Sequence, residues 1–535
     1  DEYEDAVSVT KTFIVSGEYI FKGTIDNDWE KPGNWDIGLV PEGIHDVTIE
    51  APTVVETEVA VNSIKITTGS VTIMPTGGLS VGEGGITGAT TENLLLRAGT
   101  TDTVKGQTGY LRVDPATALD MPAATVELFS KAYYDYNDKT DNIARWQYVG
   151  SPLASTDVKA SSVYKLSWIY SWDESSETWF NERATLEFTP FVGYSTTQRF
   201  YANGILLEYR GQIVSNKGKH DIDLAWSGKD KGYNALANSF TAPIDITNFE
   251  DGDFYHADST VYLFNTGSRS EAIKAASTKS TEVNNPGQFL SIPIGSARLL
   301  KKAYDEMPTT ISPMQGFFVH ALAGDARVTI DYNKLVWNGN YAKNKAEPLR
   351  APKHTNNAED EEVGSLQISL FSNTGADHLF MLEAERFDAI FENGYDARKL
   401  MGDELNIFSI KDDYKLAVDA TNSLIGTQIG VRTGDTTAYV MVFTHLNSER
   451  PLALLDKETN QQIDIYEGTE YTFFAVPNSE IAGRFFIVES ANAPAVTTGI
   501  EETKNGVKAH KFIKNGQLFI LKNGVLYTAT GTVVR

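Results

Sequence analysis

Short alternations of apolar and polar residues dominate the first fifth of the chain. Val47-Thr48-Ile49, Val54-Val55, Val59-Ala60-Val61, Ile64-Lys65-Ile66, Val71-Thr72-Ile73, Leu79-Ser80-Val81 and Leu94-Leu95-Leu96 follow one another closely, many separated by Gly or Thr. Each run is too short for an ordinary sandwich strand. Stacked coils of a β-solenoid, each burying its inward residues on the next, fit the spacing. Gly82-Glu83-Gly84-Gly85 lacks the third spaced glycine and the following helix of a phosphate-cradling loop, so it reads as a solenoid turn. Ahead of the array, Val7-Ser8-Val9-Thr10-Lys11-Thr12-Phe13-Ile14-Val15 alternates as a terminal strand.

From 115 to 340 the pattern stays β-rich, with helical periods only at 271–278 and 298–305. Residues 341–363 are polar, proline-marked and charge-segregated, which predicts a linker. Residues 364–490 return to alternating strands with turns every 8 to 12 residues, the pattern of a β-sandwich. After a second linker at 491–498, Asn515-Gly516 and Asn523-Gly524 separate three apolar runs within 499–535, which predicts a β-meander. The expected fold is all-β and serial multidomain. It comprises a strand segment (1–22), a solenoid-like domain (23–114), a β-rich module (115–340), a sandwich (364–490) and the terminal meander.

Several ordered motifs carry a resemblance. Trp29…Asn34-Trp35…Gly38-Leu39-Val40-Pro41…Asp46-Val47-Thr48-Ile49 resembles the opening of solenoid-like modules on Bacteroidetes-type surface proteins. Trp146-Gln147-Tyr148-Val149-Gly150-Ser151-Pro152, Trp172…Trp179, Gly193-Tyr194, the stretch from Gly232-Tyr233-Asn234-Ala235-Leu236-Ala237-Asn238-Ser239-Phe240 and Ile311-Ser312-Pro313-Met314-Gln315-Gly316-Phe317-Phe318-Val319 together resemble the GWNLVGNP-type module of exported Bacteroidetes-type proteins. Ala237 and Ser239 replace the usual Gly and Pro, so an altered turn is expected there. Tyr395-Asp396-Ala397-Arg398-Lys399-Leu400, Leu454-Leu455-Asp456 and Arg484-Phe485 resemble the sandwich that commonly follows that module. The final 37 residues resemble C-terminal tails of such proteins, some of them type IX secretion sorting domains. The resemblance implies an exported protein at the outer surface of a Gram-negative cell, of a surface-layer-like kind.

Composition narrows the function. Seventy-one acidic against 46 basic residues give a net charge of −25, which repels phosphate backbones and makes nucleic acid an unsuitable partner. The absence of cysteine removes disulfides, thiolate metal sites and cysteine nucleophiles. No apolar run approaches the ~18 residues of a transmembrane helix. The chain opens at Asp1 without methionine or an apolar leader, which suggests a processed, exported chain.

Candidate chemistry is sparse. The eight histidines are scattered, with no HExxH or H-x-H spacing, and no G-x-S-x-G occurs. Trp168, Tyr170 and Trp172 share one face of a strand, where rings could stack on sugar, although the core face of a sandwich is the favoured reading. Asp135, Asn137, Asp138 and Asp141 concentrate oxygen ligands suited to calcium. They lack the glycine and terminal glutamate of an EF-hand, so a solvated acidic turn is favoured. Thr103, Ser259 and Thr436 follow aspartate in the acceptor pattern of Bacteroidetes-type O-glycosylation. The expectation is a non-enzymatic structural surface protein that self-associates through β-domain contacts, without a required cofactor and with calcium as the candidate ion. The alternative is an adhesin or carbohydrate-binding protein with surface glycans as partners.

Overall fold

The computed structural model describes residues 18–528 apart from 102–105, 135–145, 155–162, 165, 182–185, 229–230, 267–268, 284, 338–362, 374, 402–404, 492–508, 515–516 and 523–524. Thr103, the acidic loop at 135–141, the strand at 7–15, residues 341–362 and 492–498 of the predicted linkers and both Asn-Gly turns therefore lie outside the described residues. The fold is all-β and multidomain. Among the described residues the α-helices are Arg269–Ser277 and Ala297–Ala303, close to both helical periods.

The solenoid carries two parallel sheets. Tyr19–Phe21, Asp46–Ile49, Glu58–Ile66, Gly78–Thr87 and Tyr110–Val113 form one; Pro52–Val55, Ser70–Ile73, Leu94–Leu96 and Ala123–Ser130 form the other. Val47, Ile49, Val61, Val71, Ile73, Leu79, Val81, Leu94, Leu96 and Leu111 point inward and are buried. The solenoid thus runs past residue 114. The Gly82–Gly85 segment is not a turn. It sits inside the long strand Gly78–Thr87, where the register jumps from Val61↔Val81 to Ser63↔Gly85. A Cβ on Gly84 would lie 2.5 Å from that of Ser63, so glycine permits this bulge.

All four sheet edges of the solenoid are closed. At the N-terminal end, the Trp29…Trp35 loop does this. Asp36 exchanges bonds with Ile20: its carboxylate accepts from the Ile20 N–H (3.0 Å) and its own N–H donates to the Ile20 carbonyl (2.9 Å). On the second sheet, Trp29 N–H donates to Val54 O and Val54 N–H to Asn27 O. Asn34, fully buried, holds the loop. Its Oδ1 accepts from the Ile25 and Asp26 N–H groups, and its Nδ2 donates to Asp28 O and the Asp26 carboxylate. Trp35 stacks edge-on against Trp29, Phe21 and Tyr19. At the other end Ile205–Gln212 pairs antiparallel with Ala123–Ser130. Tyr110–Val113 is met by Thr241, whose carbonyl accepts from Leu111 N–H and whose hydroxyl donates to Leu111 O; Tyr332 and Asn216 bind Val113.

The middle module packs a sheet of Gln147–Val149, Tyr194–Gln198, Ser167–Asp173 and Thr178–Asn181 against one of Tyr233–Ala237, Gly316–His320, Thr260–Phe264 and Phe289–Pro293. Its signature motifs mark where these sheets touch. A Cβ on Gly150 would fall 2.2 Å from that of Ala237, and one on Gly316 2.7 Å from that of Tyr148. Ala237 thus fills the space that Gly150 vacates. Asn238 donates to Ala242 O and Ile311 O and accepts from Phe240 N–H, tying the 232–240 stretch to the 311–319 stretch. Ser239 accepts the Phe191 N–H at 2.7 Å, so the departure from proline gains a hydrogen bond.

The third unit is one mixed sheet of eleven strands that curls around its own core. Its end strands, Gln461–Asp464 and Thr469–Phe474, are consecutive, so the sheet nearly closes on itself. Asp456 is its best-held polar group: Arg484 donates Nε to Oδ1 (3.0 Å) and a terminal N–H to Oδ2 (2.8 Å), and Tyr471 adds its hydroxyl. The final sheet, Ala509–Lys514, Gln517–Lys522 and Val525–Thr528, is an antiparallel meander whose registers Lys514↔Gln517 and Lys522↔Val525 leave two residues for each loop.

Replacing Asn34 strips four hydrogen bonds from a buried loop. Asn34→Ala is expected to lower the unfolding free energy by about 2–4 kcal/mol in urea titration; a change under ~0.5 kcal/mol would refute the capping role.

Candidate functional site

The densest polar chemistry among the described residues lies where the middle module meets the curled sheet, around residues 392–399. Three charged side chains within four residues each take a separate buried partner. Asp396 accepts from Lys411 Nζ at 3.0 and 3.1 Å. Arg398 Nε donates to Asp258 Oδ2 at 2.7 Å across the module boundary. Lys399 Nζ donates to Asp377 Oδ1 at 2.7 Å. Asp396 and Arg398 flank Ala397, which is fully buried, and the short strand Ala397–Arg398 pairs with Tyr414–Thr421.

Asp258 is 1% exposed and also receives His320 Nδ1 at 2.7 Å, while His320 Nε2 faces Lys231 O at 3.0 Å. The Arg398 guanidinium lies over the rings of Tyr414 and Phe391 at 4.1 and 4.7 Å, which shields the pair from water. Around it the backbone closes the junction: Gly295 N–H donates to Gly394 O, Ser259 N–H to Asn393 Oδ1 and Ser296 Oγ to Tyr395 O. Tyr304 is fully buried, donates to Met381 O (2.7 Å) and accepts Met381 N–H (3.1 Å). Asn285 donates to His378 Nε2 at 2.9 Å, and Ser369 meets His378 Nδ1 at 2.8 Å. Ile292, Leu299, Leu300, Phe380, Leu382 and Val418 merge into one core across the boundary.

Burial shifts the titrating groups. It pushes the His378 imidazole down to about 3, aided by the positive charges of Lys399 and His445. It raises the Asp396 carboxyl to about 6 against the pull of Lys411.

The proposed acceptor Ser259 lies inside this junction at 3% exposure, beside Gly394 and Asn393. Asp258 and Ser259 serve the contact between modules. Thr436 is half-buried in a turn, its hydroxyl donating to Ala438 O. Trp172 packs between the two middle sheets, 5.3 Å from Phe318 and 5.2 Å from Trp179, and donates Nε1 to Tyr233 O. Trp168 and Tyr170 remain half-buried against Tyr134 and Trp146. The described residues hold no group of three or more His, Asp or Glu placed for a metal ion, and no described helix is long and apolar enough to cross a membrane.

Tyr304, Asp377, Lys411 and Asp419 were not picked out from sequence, and Asp258 entered only as the residue before an acceptor serine. The available signal was a charge in an apolar run, as in Leu416-Ala417-Val418-Asp419-Ala420.

Residues 20–488 match the family model described as "Domain of unknown function (DUF8693)". The chain belongs to this family. It is also similar to the minor fimbrium subunit Mfa5 of Porphyromonas gingivalis, 26% identical over 284 residues. That match covers 52% of this chain and 22% of the relative, so the chain spans less than a quarter of the fimbrial protein it resembles. It supports the Bacteroidetes-type surface-protein resemblance at a coarse level. No solved structure matches. Within this DUF8693 protein the family match runs across both module boundaries, as the shared cores do.

Two outcomes follow from the junction. Arg398→Ala leaves Asp258 buried without its cross-module cation. A loss of about 3–5 kcal/mol and separation of one calorimetric transition into two are expected; a single unshifted transition would refute the coupling. For pH, the unfolded His378 ring takes a proton near 6.5 and the folded one only near 3, so stability falls as pH drops below 6.5. Asp396 acts in the opposite sense between about 6 and 4, over a narrower interval. The two nearly offset each other between pH 6 and 4, so the unfolding free energy should change little there, whereas His378→Gln should make it rise as pH falls from 6 to 4; a flat profile in the variant would count against it.

Proposed function

We propose that this protein is a non-enzymatic structural component of the cell surface, a fibre or surface-layer subunit that associates with copies of itself or related subunits. The observation that carries this reading is the likeness to a minor fimbrium subunit. The architecture is consistent with it: capped, serially joined β units with fused cores suit a part that transmits force. Self-association would use strand edges outside the solenoid, namely the segment at 1–15 and the terminal meander, whose outer strands each have one ladder partner. An extracellular or cell-surface location, with type IX export through the tail, belongs to the same proposal. Thr103 and Thr436 are the proposed glycan acceptors, and calcium at the 135–141 loop is the proposed ion.

The alternative reading is an adhesin. The half-buried rings of Trp146, Tyr148, Trp168 and Tyr170 favour it, since partly open aromatic faces can stack on sugar.

Electron microscopy of the purified chain, with and without a calcium chelator, is expected to show filaments or sheets that deletion of residues 1–15 or 499–535 impairs. Monodisperse particles that bind a glycan array would select the adhesin, and polysaccharide turnover would overturn both.

A further inference from the structure

Three charged side chains meet almost without water inside the curled sheet. Lys411 ends the strand Asn406–Lys411, Asp419 lies on Tyr414–Thr421, and Asp396 precedes Ala397–Arg398. Their side chains are 6%, 2% and 0% exposed. Lys411 Nζ lies 3.0 and 3.1 Å from the Asp396 oxygens and 2.9 Å from Asp419 Oδ1, and donates to Ala420 O at 2.8 Å. The two carboxylates are held differently. Asp396 is fixed by backbone N–H groups on both oxygens, Ala420 on Oδ1 and Glu392 on Oδ2, each at 2.8 Å. Asp419 Oδ1 has the amine beside it but no aligned hydrogen bond.

We propose that Lys411 and Asp419 condense into an intramolecular isopeptide bond, with Asp396 as the proton carrier. The Lys411 nitrogen attacks Cγ of Asp419; one C–N bond forms and one C–O bond breaks. Asp396 takes two protons from the nitrogen in turn, the first before attack to free its lone pair, and passes both to the departing oxygen, which leaves as water. Ammonium and carboxylate together become an amide and one water, and neither oxidant nor external group is consumed.

Three features favour the step. The amine is already held against the carboxyl it attacks, which replaces a chance encounter with a fixed one. Condensation replaces two of the three buried charges with a neutral amide. A carboxyl held at about 6 both accepts and donates protons near neutral pH, as a carrier requires.

The Lys399–Asp377 pair is an internal comparison. Its oxygens are aligned on Lys399 and on the Ile407 N–H (2.7 Å each), and the described residues put no second carboxylate on Lys399. That pair stays ionic, so the chain loses one water and not two.

The test weighs full-length protein, expressed in a host that adds no glycans, after denaturation. The expected mass is one water below that of the sequence, with tandem mass spectrometry finding a branched peptide that joins Lys411 to Asp419. Lys411→Arg keeps the charge and should restore the full mass; Asp396→Asn should leave most of the protein uncondensed. A wild-type mass equal to that of the sequence, with Lys411 and Asp419 recovered in linear peptides, overturns the proposal, as does a water lost at any other pair. The wild-type peptide map decides the matter even if a variant fails to fold.

Discussion

A sheet cannot simply stop: the N–H and C=O groups of its last strand need partners, and an open edge invites another chain. The solenoid meets this constraint at both ends, and much of the architecture follows from how. At the N-terminal end the cap is local, a loop held by Asn34 and Trp35 that serves both sheets. At the other end it is borrowed. Ile205–Gln212, Thr241, Asn216 and Tyr332 belong to the next module, so the solenoid is completed only when that module folds on it. A boundary drawn in sequence between the two is therefore not a boundary in the core, and Tyr19 and Met314 belong to one apolar cluster.

The second junction uses charge where the first uses backbone. Burying an ion costs free energy unless its partner is well placed, so Asp258 with Arg398 and Asp377 with Lys399 are weak sources of stability compared with apolar side chains of the same size. Their value is geometric. A guanidinium that must meet one carboxylate across a boundary admits few relative positions of the two modules, whereas the apolar contact of Leu299, Phe380 and Val418 tolerates sliding. The apolar core supplies affinity and the ion pairs supply register.

The fold was legible from sequence where period decides it. The inward residues of the solenoid, the two helices and the three strands of the meander all follow from alternation and turn chemistry. The bulge at Gly82–Gly85 was not, because a glycine run is compatible with both a turn and a strand, and only the close approach of Ser63 separates them. The junction was legible only in part. Asp396, Arg398 and Lys399 stand together in the chain, but their partners lie at 411, 258 and 377, and pairing over such separations leaves no local trace. Asp258-Ser259-Thr260 shows the cost. As a string it matches a glycosylation acceptor pattern; in the fold its aspartate is an ion-pair partner and its serine is enclosed.

Closed edges also constrain what assembly can mean for such a chain. Both solenoid ends are satisfied, and Tyr233–Ala237 is covered by the 191–193 segment, whose Gly193 donates to Ala235 O and whose Phe191 accepts from Ala237 N–H. Strand addition at those places would first have to break bonds already made inside buried surfaces. Among the described residues, the strands at the ends of their sheets include Thr178–Asn181, Ile205–Gln212, Phe289–Pro293 and the outer strands of the meander. Thr178–Asn181 is short, largely exposed and carries Phe180 at half exposure, the features of an edge that resists extension by brevity alone. An edge strand with one ladder partner still carries unpaired N–H and C=O groups, so strand addition there would break fewer bonds than at the covered strands.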